Sequence, residues 1–273
     1  MIIWLASYPK SGNTWVRSIV NQLIHNDIKK KEDVFEGLIK IRRYPSRGDF
    51  INLPRIPKNY SELQKKELIN YTIKNWKYSQ ENINKNKEVK IFKTHNMLCK
   101  LEVENKHYVF TDISNSIGAI HVVRDPRNIV SSVMNHFNHN DISESIDMIK
   151  FQYTWTGFKN DEVPQFLSSW SNHYNSWKRF PKNYLLIKYE DLIKDTNSEL
   201  IKIINFLNKF IKIESNEIKI KNILDTTNFK YLKKLEKEGK FNENAYENID
   251  KKKEFFHLGP NNNWENSLEN KIK

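Results

Sequence analysis

Cysteine is almost missing from this chain: Cys99 is the only one among 273 residues. A single thiol excludes an internal disulfide framework and a cysteine-based zinc site, and it fits a reducing compartment. Long apolar runs are missing too. Met1 to Leu5 is too short for the apolar core of a signal peptide and lacks a basic flank, and no run approaches the length of a membrane span. The sequence therefore predicts a soluble, cytoplasmic protein. There is no Pro/Gly/Ser-rich linker and no internal repeat, so one α/β domain over residues 1–273 is the default, and an aromatic content of 12% supports a packed core. Negative charge is in the minority. Lys and Arg number 45 against 33 Asp and Glu, a formal net charge of +12, which points to an acidic ligand or surface and makes nucleic acid a candidate. The basic residues are mostly lysines dispersed among Asn, Ile and Glu, however, and dispersal of that kind reads as a solvated surface.

The richest stretch is Ala6 to Trp15, ASYPKSGNTW. It follows the apolar run Ile2-Ile3-Trp4-Leu5 and precedes Val16, Ile19, Val20, Leu23 and Ile24, whose spacing marks one buried face of a helix. A strand, a tight turn and a helix in that order leave unpaired N–H groups and the positive end of the dipole at the helix N-terminus, and Gly12 lets the backbone approach a ligand. Lys10 adds a cation, while Ser11, Asn13 and Thr14 add hydrogen-bonding side chains, a set that suits phosphate better than a single carboxylate. An ordinary turn capped by Asn13 or Thr14 is the alternative. The pattern is not the Walker A loop GxxxxGK[ST], because Lys10 precedes the only glycine of the stretch.

Further along, Asp27 to Lys90 is irregular at first, with Arg42-Arg43-Tyr44-Pro45 and Leu53-Pro54-Arg55-Ile56-Pro57, then helical from Ser61 to Trp76, with Asn82 to Lys90 as surface loop. Val89 to Thr94 reads as a buried strand that delivers Lys93 and His95 to its C-terminal end, where parallel sheets bind ligands. Ile117 to Val123 reads as another, followed by Arg124, Pro126 at an early helical position, and a helix to about Phe137 that carries Ser132. Asn138 to Pro164 mixes acidic and aromatic residues without a clean period. A helix over Gln165 to Phe180 precedes a strand from Tyr184 to Tyr189, and Leu200, Ile203, Ile204 and Leu207 mark a covering helix. Taken singly, His95 reads as a satisfied core or surface histidine, Arg124 as half of an Arg–Asp surface pair, and Tyr189 as a core residue closing a strand.

In order, YPKSGNTW, KTH at 93–95, Arg124 with Ser132, YEDL at 189–192, Thr227 with Phe229, and Gly259 with Trp264 resemble the signatures of the sulfotransferase family, most closely the cytosolic type and its bacterial relatives. The resemblance implies a P-loop NTPase-like sulfotransferase fold, with a central parallel sheet flanked by helices. It also implies transfer of a sulfuryl group from 3′-phosphoadenosine 5′-phosphosulfate (PAPS) to a small-molecule hydroxyl, less so an amine, by in-line displacement, with adenosine 3′,5′-bisphosphate (PAP) as product. His95 is then the general base, Lys10 stabilises the leaving phosphate oxygen, and Lys93 assists at the sulfuryl or phosphate oxygens. Ser11, Gly12, Asn13 and Thr14 hold the 5′-phosphate, Trp15 and Phe229 stack on adenine with Tyr189 and Thr227 beside it, and Arg124 and Ser132 anchor the 3′-phosphate. Residues 27–90 and 138–164 are the acceptor-site segments.

One departure stands out. His257-Leu258 precedes Gly259 where the family usually has Arg-Lys; the resemblance implies that His257 and Gly259 bind the cofactor there, His257 standing in as a hydrogen-bond donor, and a histidine that is largely neutral near pH 7 grips a phosphate less strongly. The dimerisation signature of the animal enzymes is not found at the C-terminus, so the oligomeric state stays open, and no Cys/His cluster suggests a metal. Two other classes compete: a P-loop kinase, which needs a lysine-serine pair after glycine and an acidic magnesium ligand, and a non-catalytic basic protein that binds nucleic acid. The sequence does not identify the acceptor.

Overall fold

β1, Ile2–Ser7, is buried at every position, as an apolar run without alternation requires of a strand covered on both faces. The computed structural model describes residues 1–25, 34, 38, 40–50, 61–158, 162–241 and 254–268. After β1 the chain turns sharply into α1, Asn13–His25. Then α2 spans Glu62–Ile83, and its start is the predicted one. Ser61 caps it in a reciprocal box, its Oγ accepting from the Gln64 N–H at 3.3 Å and its own N–H donating to Gln64 Oε1 at 2.8 Å. The helix nevertheless continues two turns past the predicted Trp76 and tightens into a 3-10 turn, Asn84–Asn86, so the first half of the expected loop 82–90 is helical. Residues 26–33 and 51–60, the latter with the proline-punctuated run 53–57, lie outside the described residues.

β2, Lys90–Thr94, pairs in parallel with β1, Ile3 opposite Ile91 and Ala6 opposite Thr94. A hairpin that sequence reasoning did not anticipate follows, β3 (Lys100–Val103) with β4 (Lys106–Val109), closed by Glu104 and Asn105 at φ 50° and 60°, the double left-handed turn that two-residue hairpins favour. β5, Ser116–Val123, leads into α3, Pro126–Phe137, with Asp125 as its side-chain cap and Asn138 left-handed at its end. α4 is Ile142–Lys150. The expected helix 165–180 is corrected: β6, Trp155–Thr156, pairs with β7, Gln165–Phe166, and α5 begins only at Trp170 and ends at Lys178. Ser168 at φ 57° and the Ser169 cap, which accepts from the Asn172 N–H, fix that later start. β8, Asn183–Lys188, stops one residue before Tyr189, which opens α6, Tyr189–Lys194. α7 (Thr196–Leu207), α8 (Glu217–Thr227), α9 (Phe229–Lys237) and α10 (Trp264–Ser267) complete the described elements. Among the described residues, no helix is long and apolar enough to cross a membrane.

The main sheet has the order β2-β1-β5-β8, which gives an α/β fold with a central parallel sheet flanked by helices. The chain divides into two compact units, one of Met1–Tyr8, Arg42–His121 and Phe151–Tyr184, the other of Pro9–Ile41, Val122–Lys150 and Leu185–Lys273. The first has an aromatic core. Trp4, Tyr44, Trp76, Phe110 and Trp177 are buried together. Two of its indoles are paired: Trp4 Nε1 donates to Ser116 Oγ at 2.7 Å, and Trp177 Nε1 to the Asn96 carbonyl at 2.8 Å. In the second unit Val16, Ile19, Val20 and Leu23 of the predicted face of α1 are buried and Ile24 is half-buried, and the opposite face (Arg17, Ser18, Asn21, Gln22) is buried as well; Leu200, Ile203, Ile204 and Leu207 of α7 are buried.

Candidate active site

In the second unit the turn after β1 is built from two left-handed residues, Lys10 at φ 66° and Gly12 at φ 96°. Gly12 is needed for space as well as for conformation. A Cβ there would stand 2.6 Å from Cδ2 of Tyr189. The first turn of α1 holds no acidic residue, so no carboxylate of its own offsets the positive end of the helix dipole, which favours an anion there. Ser11 Oγ and Trp15 Nε1 are buried, and neither finds a hydrogen-bond partner among the described residues, a costly state in a finished core and an ordinary one in a binding site. Trp15 meets Tyr189 edge to face at 5.8 Å. Asn13 and Thr14 are buried in the same turn. Lys10 Nζ lies 3.6 Å from the centre of the Phe255 ring.

Arg124, just past β5, is buried with its guanidinium stacked 4.0 Å over the Tyr189 ring. Its Nη2 donates to the Gly259 carbonyl at 3.2 Å, and Nε has no partner among the described residues. Burial lowers its pKa, and Tyr189, Glu190 and Asp125 oppose that shift. Gly259, at φ 55°, packs directly on Phe229, whose ring carbons would be 2.2 to 2.5 Å from any Cβ. Ser132 on α3 is half-buried and accepts from Asn262 Nδ2 at 3.3 Å. Asn262 is a residue that sequence reasoning missed. It is buried, accepts from Ser131 Oγ at 2.9 Å and donates to the Asn128 carbonyl at 2.6 Å, while Asn128 Oδ1 accepts from the Trp264 N–H at 2.8 Å. Thr227 is buried, with its hydroxyl donating to its own helix at the Ile223 carbonyl. His257 is exposed, and its carbonyl accepts from Lys233 Nζ at 3.2 Å.

In the first unit, His95 stands one residue beyond β2 and Lys93 inside it. The His95 Nδ1 is 2.7 Å from the Ser7 carbonyl and 3.2 Å from Ser7 Oγ. A carbonyl only accepts, so in the neutral ring Nδ1 carries the hydrogen and Nε2 carries the lone pair. Burial holds the imidazole well below its usual pKa; the charges of Lys93 and Arg43 and the neighbouring His173 push the same way, and the Ser7 carbonyl pulls against them. The ring is thus neutral at pH 7. Ser7 is three residues before Lys10 in the chain, and the passage from one unit to the other falls between Tyr8 and Pro9.

A family model described as "Sulfotransferase domain" matches residues 2–273. The chain belongs to the sulfotransferase family. Among its curated relatives, the 3-alpha-hydroxysteroid sulfotransferase of Cavia porcellus is 24% identical over 84% of the chain and 65% of its own length, and the Sulfotransferase 1E1 of Homo sapiens is 27% identical over the same shares. The chain therefore spans slightly less than two thirds of these relatives. The fold agrees with two solved structures that hold PAP. Retinol dehydratase in complex with retinol and PAP has a TM-score of 0.59 at 20% identity, over 99% of this chain and 77% of that one. Mouse sulfotransferase SULT7A1 with PAP has a TM-score of 0.55 at 19% identity, over 99% and 79%.

Within this member of the family, the second unit gathers two groups of the sequence-predicted residues around one ring, since Gly12, Trp15 and Arg124 all pack on Tyr189. Tyr189, read from the sequence as a core residue closing a strand, is buried, and these contacts converge on its ring. Phe229, Gly259 and Arg124 form a second chain of contacts, and Ser132 joins the C-terminal segment through Asn262. The His257 side chain, exposed to solvent, is not part of either group.

Proposed function

We propose that this sulfotransferase family member moves a sulfuryl group from PAPS to the hydroxyl of a small molecule, with an amine as a lesser acceptor. The observation that carries the reading is the set of buried donors without partners among the described residues, Ser11 Oγ, Trp15 Nε1 and Arg124 Nε, on the two segments whose sequence suits phosphate. Such groups are costly unless a ligand meets them. Ser11, Gly12, Asn13 and Thr14 hold the 5′-phosphate on the N-terminus of α1; Arg124 and Ser132 hold the 3′-phosphate; Trp15, Phe229, Thr227 and Tyr189 form the adenine side, with Gly259 keeping the backbone against Phe229. When bound, PAPS supplies the sulfuryl group and leaves as PAP.

The chain's own residues do the rest. His95 takes the acceptor's proton at Nε2, which the Ser7 carbonyl leaves as the free lone pair, and a positioned base of this kind contributes roughly 10²–10⁴-fold. Lys10 and Lys93 place positive charge for the leaving phosphate and the transferring group. The hydroxyl acceptor is supported by the relatives named for hydroxysteroids and by the retinol and androsterone complexes of the related fold. Exposed His257 adds a hydrogen bond at most, which leaves Arg124 as the principal 3′-phosphate anchor.

Calorimetric titration tests the reading. PAP should bind more tightly than 5′-AMP or ATP, and Arg124→Ala should abolish the preference for the 3′-phosphate. Equal binding of 5′-AMP, or a preference for ATP, would overturn it in favour of a kinase.

A further inference from the structure

We infer that Gln165 is a positioning residue for His95, holding the base by its backbone while Ser7 holds the ring; the inference rests on the role of His95 proposed above. The pairing of β2 with β1 ends at Thr94, so the N–H of His95 falls beyond the sheet and needs another acceptor. Gln165 Oε1, 70 residues away in sequence, accepts it at 2.8 Å. Gln165 is 1% exposed, so no bulk water competes for that bond. The next two rungs are as short: the Phe166 N–H donates to Asn96 Oδ1 at 2.7 Å and the Met97 N–H to the Phe166 carbonyl at 2.7 Å. Residues 95–97 are therefore bound to β7 at three successive points.

Two anchors act on the base from different ends. Ser7 fixes Nδ1, and Gln165 fixes the peptide from which the side chain departs. Together they set the place of Nε2, which neither does alone, because a ring held only at Nδ1 swings with its backbone and a backbone held alone leaves χ1 free. Gln165 also has a connection upstream. Arg43 Nη2 donates to the Val163 carbonyl at 3.0 Å and its Nη1 pairs with Glu162 at 2.5 Å, while the Arg43 charge helps to keep the His95 ring neutral. The strand that carries Gln165 thus follows directly on the segment assigned to the acceptor, and it ties that segment to the base.

The test uses the full chain and reads His95 directly. In the unaltered protein the His95 amide should exchange with solvent as slowly as that of Met97, and long-range ¹⁵N–¹H spectra should show a single Nδ1–H tautomer. Gln165→Met keeps the length of the side chain and removes the acceptor oxygen. It should speed exchange of the His95 amide at least about tenfold and broaden or mix the tautomer signals, with the affinity for PAP within about twofold of the original. With PAPS and a panel of phenol, androsterone and retinol, kcat should fall about ten- to a hundredfold, as a small misplacement of a catalytic group does. Ser176→Ala, which removes the acceptor of the neighbouring Leu98 N–H (3.1 Å) and leaves the His95 anchors in place, should move none of these readings. A fast-exchanging His95 amide in the unaltered protein, an unchanged tautomer and kcat in Gln165→Met, or the same losses in Ser176→Ala would each overturn the inference. The exchange measurement decides even where Gln165→Met does not fold. Failure of the unaltered protein to bind PAP would count against the proposed function and would leave the readings of the His95 amide and ring standing on their own.

Discussion

His95, His121 and His173 are all drawn below the ordinary histidine value by burial, His173 to about 3. Between about 6.5, where an exposed histidine titrates, and these depressed values, the unfolded chain takes up protons that the folded chain refuses. Stability is therefore full above that ordinary value and is lost as the pH falls through the window below it. At His173 burial dominates: both ring nitrogens are buried without a hydrogen-bond partner among the described residues, and the backbone of His95 pulls against the shift. A shift of that size is worth on the order of several kcal/mol. The urea midpoint should fall steadily from about pH 7 to pH 5, and His173→Gln should flatten that slope; an unchanged slope would mean that the ring is not held neutral. With His95 as the proposed base, the same depression predicts a rate that does not fall as the pH drops from about 8 through the ordinary histidine value near 6.5, since the ring is already deprotonated there. His95→Ala should reduce kcat about a hundredfold or more while PAP affinity stays within about twofold. A matching loss of affinity would assign His95 to binding instead.

Among the elements, legibility followed the range of the interactions that define them. The Ser61 start of α2 was readable because its capping box is complete within one turn of the helix. Its end was not, since residues 82–87 have no apolar period and resemble loop. β6 and β7 are two residues each: they pair with one another, and β7 is also bonded to Asn96 and Met97, far earlier in the chain. No local signal carries that. The glycine-to-tryptophan spacing of the C-terminal segment was legible, whereas the function of Asn262 between them was not, because its bonds to Asn128, Ser131 and Ser132 appear only when α3 is beside it. Asn262→Ala should free the segment 254–268 from α3 at a cost of about 1–3 kcal/mol and weaken PAP binding roughly tenfold, measured by calorimetry. Gly259→Ala should be worse, because its Cβ meets Phe229 at 2.2 Å and its φ is left-handed. Adding Phe229→Leu should restore part of the lost melting temperature, and no restoration would show that backbone strain, not the ring, dominates.

Across the whole molecule the sequence signatures are legible in order but are divided between the two units: Lys93 and His95 in one, the Lys10 to Trp15 turn, Arg124, Ser132 and the C-terminal residues in the other. Motif order is the basis for proposing which residues belong to the chemistry, and only the contacts reveal what holds each of them. The net charge of +12 acts on the same scale. Dispersed lysines far from a phosphate contribute a long-range field that salt screens within about 10 Å at 0.1 M, whereas the buried Arg124 guanidinium, in its proposed role as 3′-phosphate anchor, acts at contact and is screened much less. Steering changes the association rate, and contacts change the dissociation rate. Stopped-flow binding of PAP between about 0.02 and 0.5 M salt should therefore show kon falling severalfold with koff nearly constant, while Arg124→Ala should raise koff at every salt concentration. If koff carried the salt dependence instead, exposed lysines would be the true phosphate ligands, and the basic surface would have to be read as part of the site.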